Sequence, residues 1–68
     1  MSNRSLAESL KYQRKIKGFS QEELSNKTNV TVRTIQRIEK AEVNPHLNTL
    51  KLLAAALDIE VSELLPID

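Results

Sequence analysis

The stretch QEELSNKTNVTVRTIQRIEK, Gln21 to Lys40, decides the fold. It reads as two short helices hinged by a tight turn. Leu24, Thr28, Val30, Ile35 and Ile38 fall where such a pair buries its inner faces. The second helix then carries Val32, Arg33, Gln36 and Arg37 outward. A short exposed helix bearing Arg and Gln has the size and donor chemistry to enter the major groove of DNA.

Working outward, the helix boundaries are marked locally. Ser20 is a good N-cap for the earlier helix of the pair, and Glu23 three residues on completes a capping box. Asn29 can turn the chain because Asn tolerates positive φ, and Thr31 can cap the next helix. Upstream, a helix is expected over about Ser5 to Lys17, with Leu6, Leu10 and the Gln13/Arg14 level on one face and Gly18 as its left-handed stop. Downstream, Lys40 to His46 is a loop in which Pro45 pushes Asn44 toward extended geometry. Leu50, Leu53, Ala54 and Leu57 form the apolar face of a fourth helix. Val61 to Leu65 reads as a last short helix ended by Pro66. The expectation is an all-α fold of five short helices, about 5–17, 20–28, 32–39, 47–57 and 61–65, in one domain spanning residues 1–68.

Bulk composition bounds the function. A chain of 68 residues buries only about 60% of its unfolded surface, so its core is thin and a partner subunit would help. The absence of cysteine excludes disulfides and thiolate metal sites and is compatible with a cytoplasmic setting. The longest apolar run, Leu52 to Leu57, is far short of the roughly 20 residues that span a bilayer, so no membrane role is expected. MSNRSLAES at the start does not resemble a signal peptide. Net charge is only +1, yet residues 1–40 carry nine Lys/Arg against four Asp/Glu, while residues 41–68 carry one against five. That split suggests one face for a polyanion and another for something else. His46, the lone histidine, has no second His or Cys for a metal. No Gly-rich phosphate loop or acid–base pair is evident. No catalytic residues, cofactor or small-molecule ligand are therefore expected.

With these elements in view, the chain resembles the lambda repressor and Cro-like helix-turn-helix family, also called the XRE family, over about Leu6 to Leu65. FSQEEL at Phe19–Leu24 resembles the opening of that family's second helix. NVTVRTIQRIEK at Asn29–Lys40 resembles its turn and recognition helix, and NPHLNTLKLLAAAL at Asn44–Leu57 and SELL at Ser62–Leu65 resemble its fourth and fifth helices. The resemblance implies a nucleoid-associated DNA-binding regulator whose third helix touches base edges through Val32, Arg33, Gln36 and Arg37. Each has a chemical use there: Arg33 and Arg37 can donate bidentately to guanine, Gln36 can pair with adenine, and Val32 can pack on a thymine methyl. The resemblance places Gln21 at the DNA backbone, beside free helix amides suited to phosphate. Thr31, Lys40, Asn44, His46 and Asn48 are further phosphate candidates. It also implies that Arg14 pairs with Glu39 as a structural strut, for which a planar guanidinium is well suited.

The chain departs from the family pattern at its loops. Asn29 stands where Gly is usual in the tight turn, Lys40-Ala41 follow Glu39 where Gly is common, and His46 replaces a small capping residue. Asp58 stands at a frequent Gly position and Glu60 at a usual Ser cap. Each lost cap costs about 1 kcal/mol. Leu64, Leu65 and Ile67 crowd the C-terminus and are read as a homodimer interface, with Tyr12 and Ile16 either edging the core or adding to the contact. A dimer would set two recognition helices about 34 Å apart on a palindromic operator in double-stranded DNA. The expected function is a small dimeric transcriptional regulator, a repressor. The alternative is a protein-interaction module such as an antitoxin.

Overall fold

The computed structural model describes residues 5–65. Helices α1 (Leu6–Ile16), α2 (Gln21–Thr28), α3 (Val32–Glu39) and α4 (Leu47–Leu57) follow in order, and a 3-10 turn, Val61–Glu63, closes the described chain. The fifth element is thus shorter than the expected 61–65 helix and differently wound. Its bonds run Glu63 N–H to the Glu60 carbonyl and Leu64 N–H to the Val61 carbonyl, the i to i+3 pattern of a 3-10 turn.

Local chemistry starts three of the helices. Ser20 and Glu23 form the expected capping box, with the Glu23 N–H on Ser20 Oγ at 3.0 Å and the Ser20 N–H on the Glu23 carboxylate at 2.8 Å. Ser5 and Glu8 repeat the device at the start of α1; the same Ser-x-x-Glu pattern announces it in the sequence. Thr31 caps α3 through the Thr34 N–H at 3.1 Å. His46 precedes α4 with no side-chain cap bond, as its departure from the family pattern suggests.

The helix ends are more demanding. After α1, α3 and α4 the chain closes with paired backbone bonds of the Schellman type, which require a left-handed residue. Gly18 supplies it after α1 with φ +78. After α3 it is Ala41 with φ +61, and after α4 Asp58 with φ +58. Ala41 therefore holds a conformation that costs a residue with a Cβ roughly 1–2 kcal/mol. Asn29 takes φ +63 between α2 and α3, which its short amide side chain tolerates.

The core is built from Leu10, Leu24, Ile35, Ile38, Leu53, Leu57 and Leu64, all fully buried, with Val30, Leu50 and Ala54 beside them. α3 packs on both α1 and α2, α2 also packs on α4, and α4 meets the closing turn. Leu24, Thr28, Val30, Ile35 and Ile38 all face inward as their spacing implies. Buried Thr28 also knots the turn: its hydroxyl donates to the Leu24 carbonyl at 2.8 Å and accepts the Val30 N–H at 3.1 Å. No helix among the described residues is long and apolar enough to cross a membrane.

Leu64 corrects one expectation. It was grouped with Leu65 and Ile67 as surface for a partner, but it is fully buried within the monomer and belongs to its core. The turn at Val61–Glu63 folds it back toward α4, where a thin core needs it. Leu65 remains exposed, and Ile67 lies outside the described residues.

Candidate nucleic-acid interface

α3 divides cleanly into two faces. Ile35, Ile38 and Glu39 are buried, whereas Arg33, Gln36 and Arg37 are exposed and Val32 is half-buried. Residues 33, 36, 37 and 40 repeat at helical spacing, so their side chains share one side of the rod. Arg33, Gln36, Arg37 and Lys40, with Glu42 from the following loop, line one open concavity of about 390 Å³.

The rod is anchored from behind. Arg14 on α1 grips Glu39 at the last turn of α3 through a two-pronged pair, Nε to Oε2 at 2.7 Å and Nη2 to Oε1 at 3.0 Å. The third guanidinium nitrogen donates to the Phe19 carbonyl at 2.8 Å. The Arg14 and Glu39 side chains are only 11% and 4% exposed, so this is a fully bonded, nearly dry pair rather than a solvated surface contact. One guanidinium thereby ties α3 to α1 and to the loop that leads into α2. The expected strut is present.

Gln21 extends the same network. Its amide donates to Glu39 Oε1 at 3.0 Å, and its carbonyl oxygen accepts from Gln36 Nε2 at 3.3 Å. A side chain expected at the phosphate backbone thus also links the buried strut to an exposed residue of α3. Sequence reading did not foresee this link, because the two glutamines sit on different helices. Gln36 is oriented before any ligand arrives, with its own amide oxygen left to accept.

The remaining candidates are distributed around this centre. Thr31 is exposed at the start of α3, where its hydroxyl both caps the helix and bonds Thr34 Oγ1 at 2.9 Å. Lys40 is exposed at the end of α3. His46 and Asn48 are exposed at the start of α4, whose first N–H groups have no side-chain cap. Exposed Asn44 lines a different hollow, with Ser5, Leu6, Ala7, Ile38, Ala41 and Val43, so it is not part of the α3 concavity. Glu42 was not singled out by the sequence. It lies five residues beyond Arg37, after the chain reverses at Ala41, where no helical spacing applies. Its carboxylate stands 3.6 Å from Arg37 Nε.

Comparison with known proteins agrees with this geometry. The helix-turn-helix family model matches residues 10–64. The chain belongs to that family, in its lambda repressor-like branch. Matching solved structures include two helix-turn-helix counterparts. The restriction-modification controller protein C.AhdI from Aeromonas hydrophila is 34% identical, with a TM-score of 0.84 over 87% of this chain and 89% of that one. A hypothetical transcription factor from Neisseria, NHTF, is 32% identical, with a TM-score of 0.83 over 88% of this chain and 69% of that one. No curated protein gives a significant match. As a member of this family, with such counterparts, the chain is a DNA-binding domain of the transcription-regulator kind.

Proposed function

We propose that this protein is a sequence-specific regulator of transcription that binds double-stranded DNA as a small dimer and represses by occupying a palindromic operator. The observation that carries the reading is the division of α3. Its inner face is locked to α1 and α2 by core packing and the Arg14–Glu39 strut, while Arg33, Gln36 and Arg37 stand outward on one rigid face. Arg33 and Arg37 have the fork geometry for guanine and Gln36 the paired donor and acceptor for adenine, each good pair contributing roughly 1–3 kcal/mol of discrimination. Val32 supports them as an apolar contact. Gln21, Thr31, Lys40, Asn44, His46 and Asn48 serve as phosphate contacts that set register and affinity. The similarity to a restriction-modification controller and to a transcription factor supports the regulatory role.

For the dimer, exposed Leu65 and Leu52 are the apolar contacts proposed. These same residues favour a second reading, in which that surface holds a different protein and DNA binding is secondary.

Selection of bound duplexes from a random pool tests the proposal. Two inverted half-sites whose centres lie about 34 Å apart are expected, and binding should weaken steeply with salt, because it releases counterions from the phosphates and added salt makes that release less favourable. Arg33→Ala with Arg37→Ala should erase sequence preference while the helical circular dichroism signal stays. A chain that binds no duplex at low salt refutes the proposal and leaves the protein-interaction reading. Preference surviving the double substitution refutes the assignment of the base-reading residues.

A further inference from the structure

We infer that Glu42 is a specificity-positioning residue: it holds Arg37 by Nε so that the two terminal guanidinium nitrogens face outward as a fork for a guanine edge. The inference deepens the DNA-binding reading above and rests on it. Four observations place Glu42 in this role. It is the one acidic side chain among the residues lining the α3 concavity. Its carboxylate pairs with Arg37 Nε at 3.6 Å, both side chains being about half exposed. Its backbone is not free to drift, because the Glu42 N–H closes on the Arg37 carbonyl at 2.9 Å. The reversal that allows this closure is held at Ala41, with φ +61. The main chains of Arg37 and Glu42 are therefore held together by one short loop, across which the two side chains meet.

A carboxylate facing a polyanion is a cost to general affinity, since it repels phosphate. A surface meant only to grip the backbone would not place one there. The arrangement makes sense where discrimination matters more than affinity. Engaging Nε turns a long, mobile side chain into a pre-aimed fork, and it opposes a swing of Arg37 to the nearest phosphate. Arg33 has no ion-pair partner among the described residues, so the two arginines are not equivalent. Arg37 is the reader with the tighter base preference.

The test uses the full chain and three labelled duplexes: a selected site, the same site with the guanine pair read by Arg37 exchanged, and mixed-sequence DNA. The guanine is located as the position where Arg37→Ala loses discrimination. Glu42→Ala should tighten binding to mixed DNA and lower discrimination at that one guanine by about two- to fivefold, the range that an exposed ion pair can contribute. Glu42→Gln, which removes the charge but keeps an oxygen for Nε, should tighten mixed binding and retain more of the discrimination than Glu42→Ala. In the Arg37→Ala background, Glu42→Ala should leave discrimination unchanged.

The inference is overturned if Glu42→Ala changes affinity but not discrimination, if Glu42→Gln is no better than Glu42→Ala, or if discrimination falls equally at bases Arg37 does not read. Circular dichroism verifies that each variant is folded, and a half-exposed carboxylate on a loop puts little of the core at risk. A wild-type chain with no base preference refutes the function proposed above, and this inference with it. A wild-type preference that Glu42→Ala leaves intact refutes this inference alone.

Discussion

Removing Glu39 should cost the domain a large part of its stability, although the residue is a single carboxylate on a helix only eight residues long. The Glu39 oxygens accept from Arg14 Nε and Nη2 and from Gln21 Nε2, all within 3.0 Å. With Glu39→Ala, a guanidinium whose side chain is 11% exposed keeps only the Phe19 carbonyl as partner. Stranding a buried charge in this way costs about 3–5 kcal/mol. A domain of 68 residues has about 3–10 kcal/mol in total, so the loss is at least about 30% of the stability. Arg14→Leu strands the carboxylate instead and should cost a similar amount. The double variant, Arg14→Leu with Glu39→Leu, strands neither and should be milder than the sum of the singles by about 2–3 kcal/mol. Urea denaturation followed by circular dichroism measures all three. With a slope of about 1 kcal/mol per molar for so small a protein, each single substitution should lower the midpoint by about 3–5 M. Single costs below about 1 kcal/mol, or costs that add within about 0.5 kcal/mol, would show that the pair is not the strut that fixes α3.

Ala41→Gly should raise stability by about 0.5–1 kcal/mol, because relief of a left-handed alanine exceeds the entropy cost of glycine; a lower thermal midpoint would contradict the backbone argument. Asp58→Gly should act in the same direction but more weakly, since Asp tolerates positive φ, and the same melting experiment reads it. His46→Asp should add about 0.5–1 kcal/mol by capping α4, while weakening DNA binding through an added negative charge; an unchanged affinity would remove this helix start from the phosphate contacts. Leu64→Ala should cost about 2–5 kcal/mol as a core cavity, whereas Leu65→Ala should change monomer stability by less than about 0.5 kcal/mol. Equal costs in urea would contradict the burial that distinguishes these neighbours.

Much of the fold was legible because helix periodicity states which side chains of an element must leave water. Leu24, Ile35 and Ile38 needed no more than their spacing, and Ser20–Glu23 no more than a three-residue pattern. The outward face of α3 follows by subtraction, since residues that are not on the inner face are on the outer one. The Arg14–Glu39 pair came from resemblance to a family, not from spacing; the two residues are on different helices and nothing local joins them.

What the sequence by itself determined is therefore the set of helices, their inner faces and the polar cationic side of α3, because these depend on neighbours within one or two turns. Tertiary structure decided the rest. It placed Leu64 in the core rather than on a surface, because the closing turn folds back on α4. It put Ala41 and Asp58 in a glycine's conformation, because the packed helices dictate where the chain must reverse whichever residue stands there. It joined Gln36 to Glu39 through Gln21 and set Glu42 against Arg37. Such contacts depend on where one element lies against another, and periodicity within an element carries no record of that.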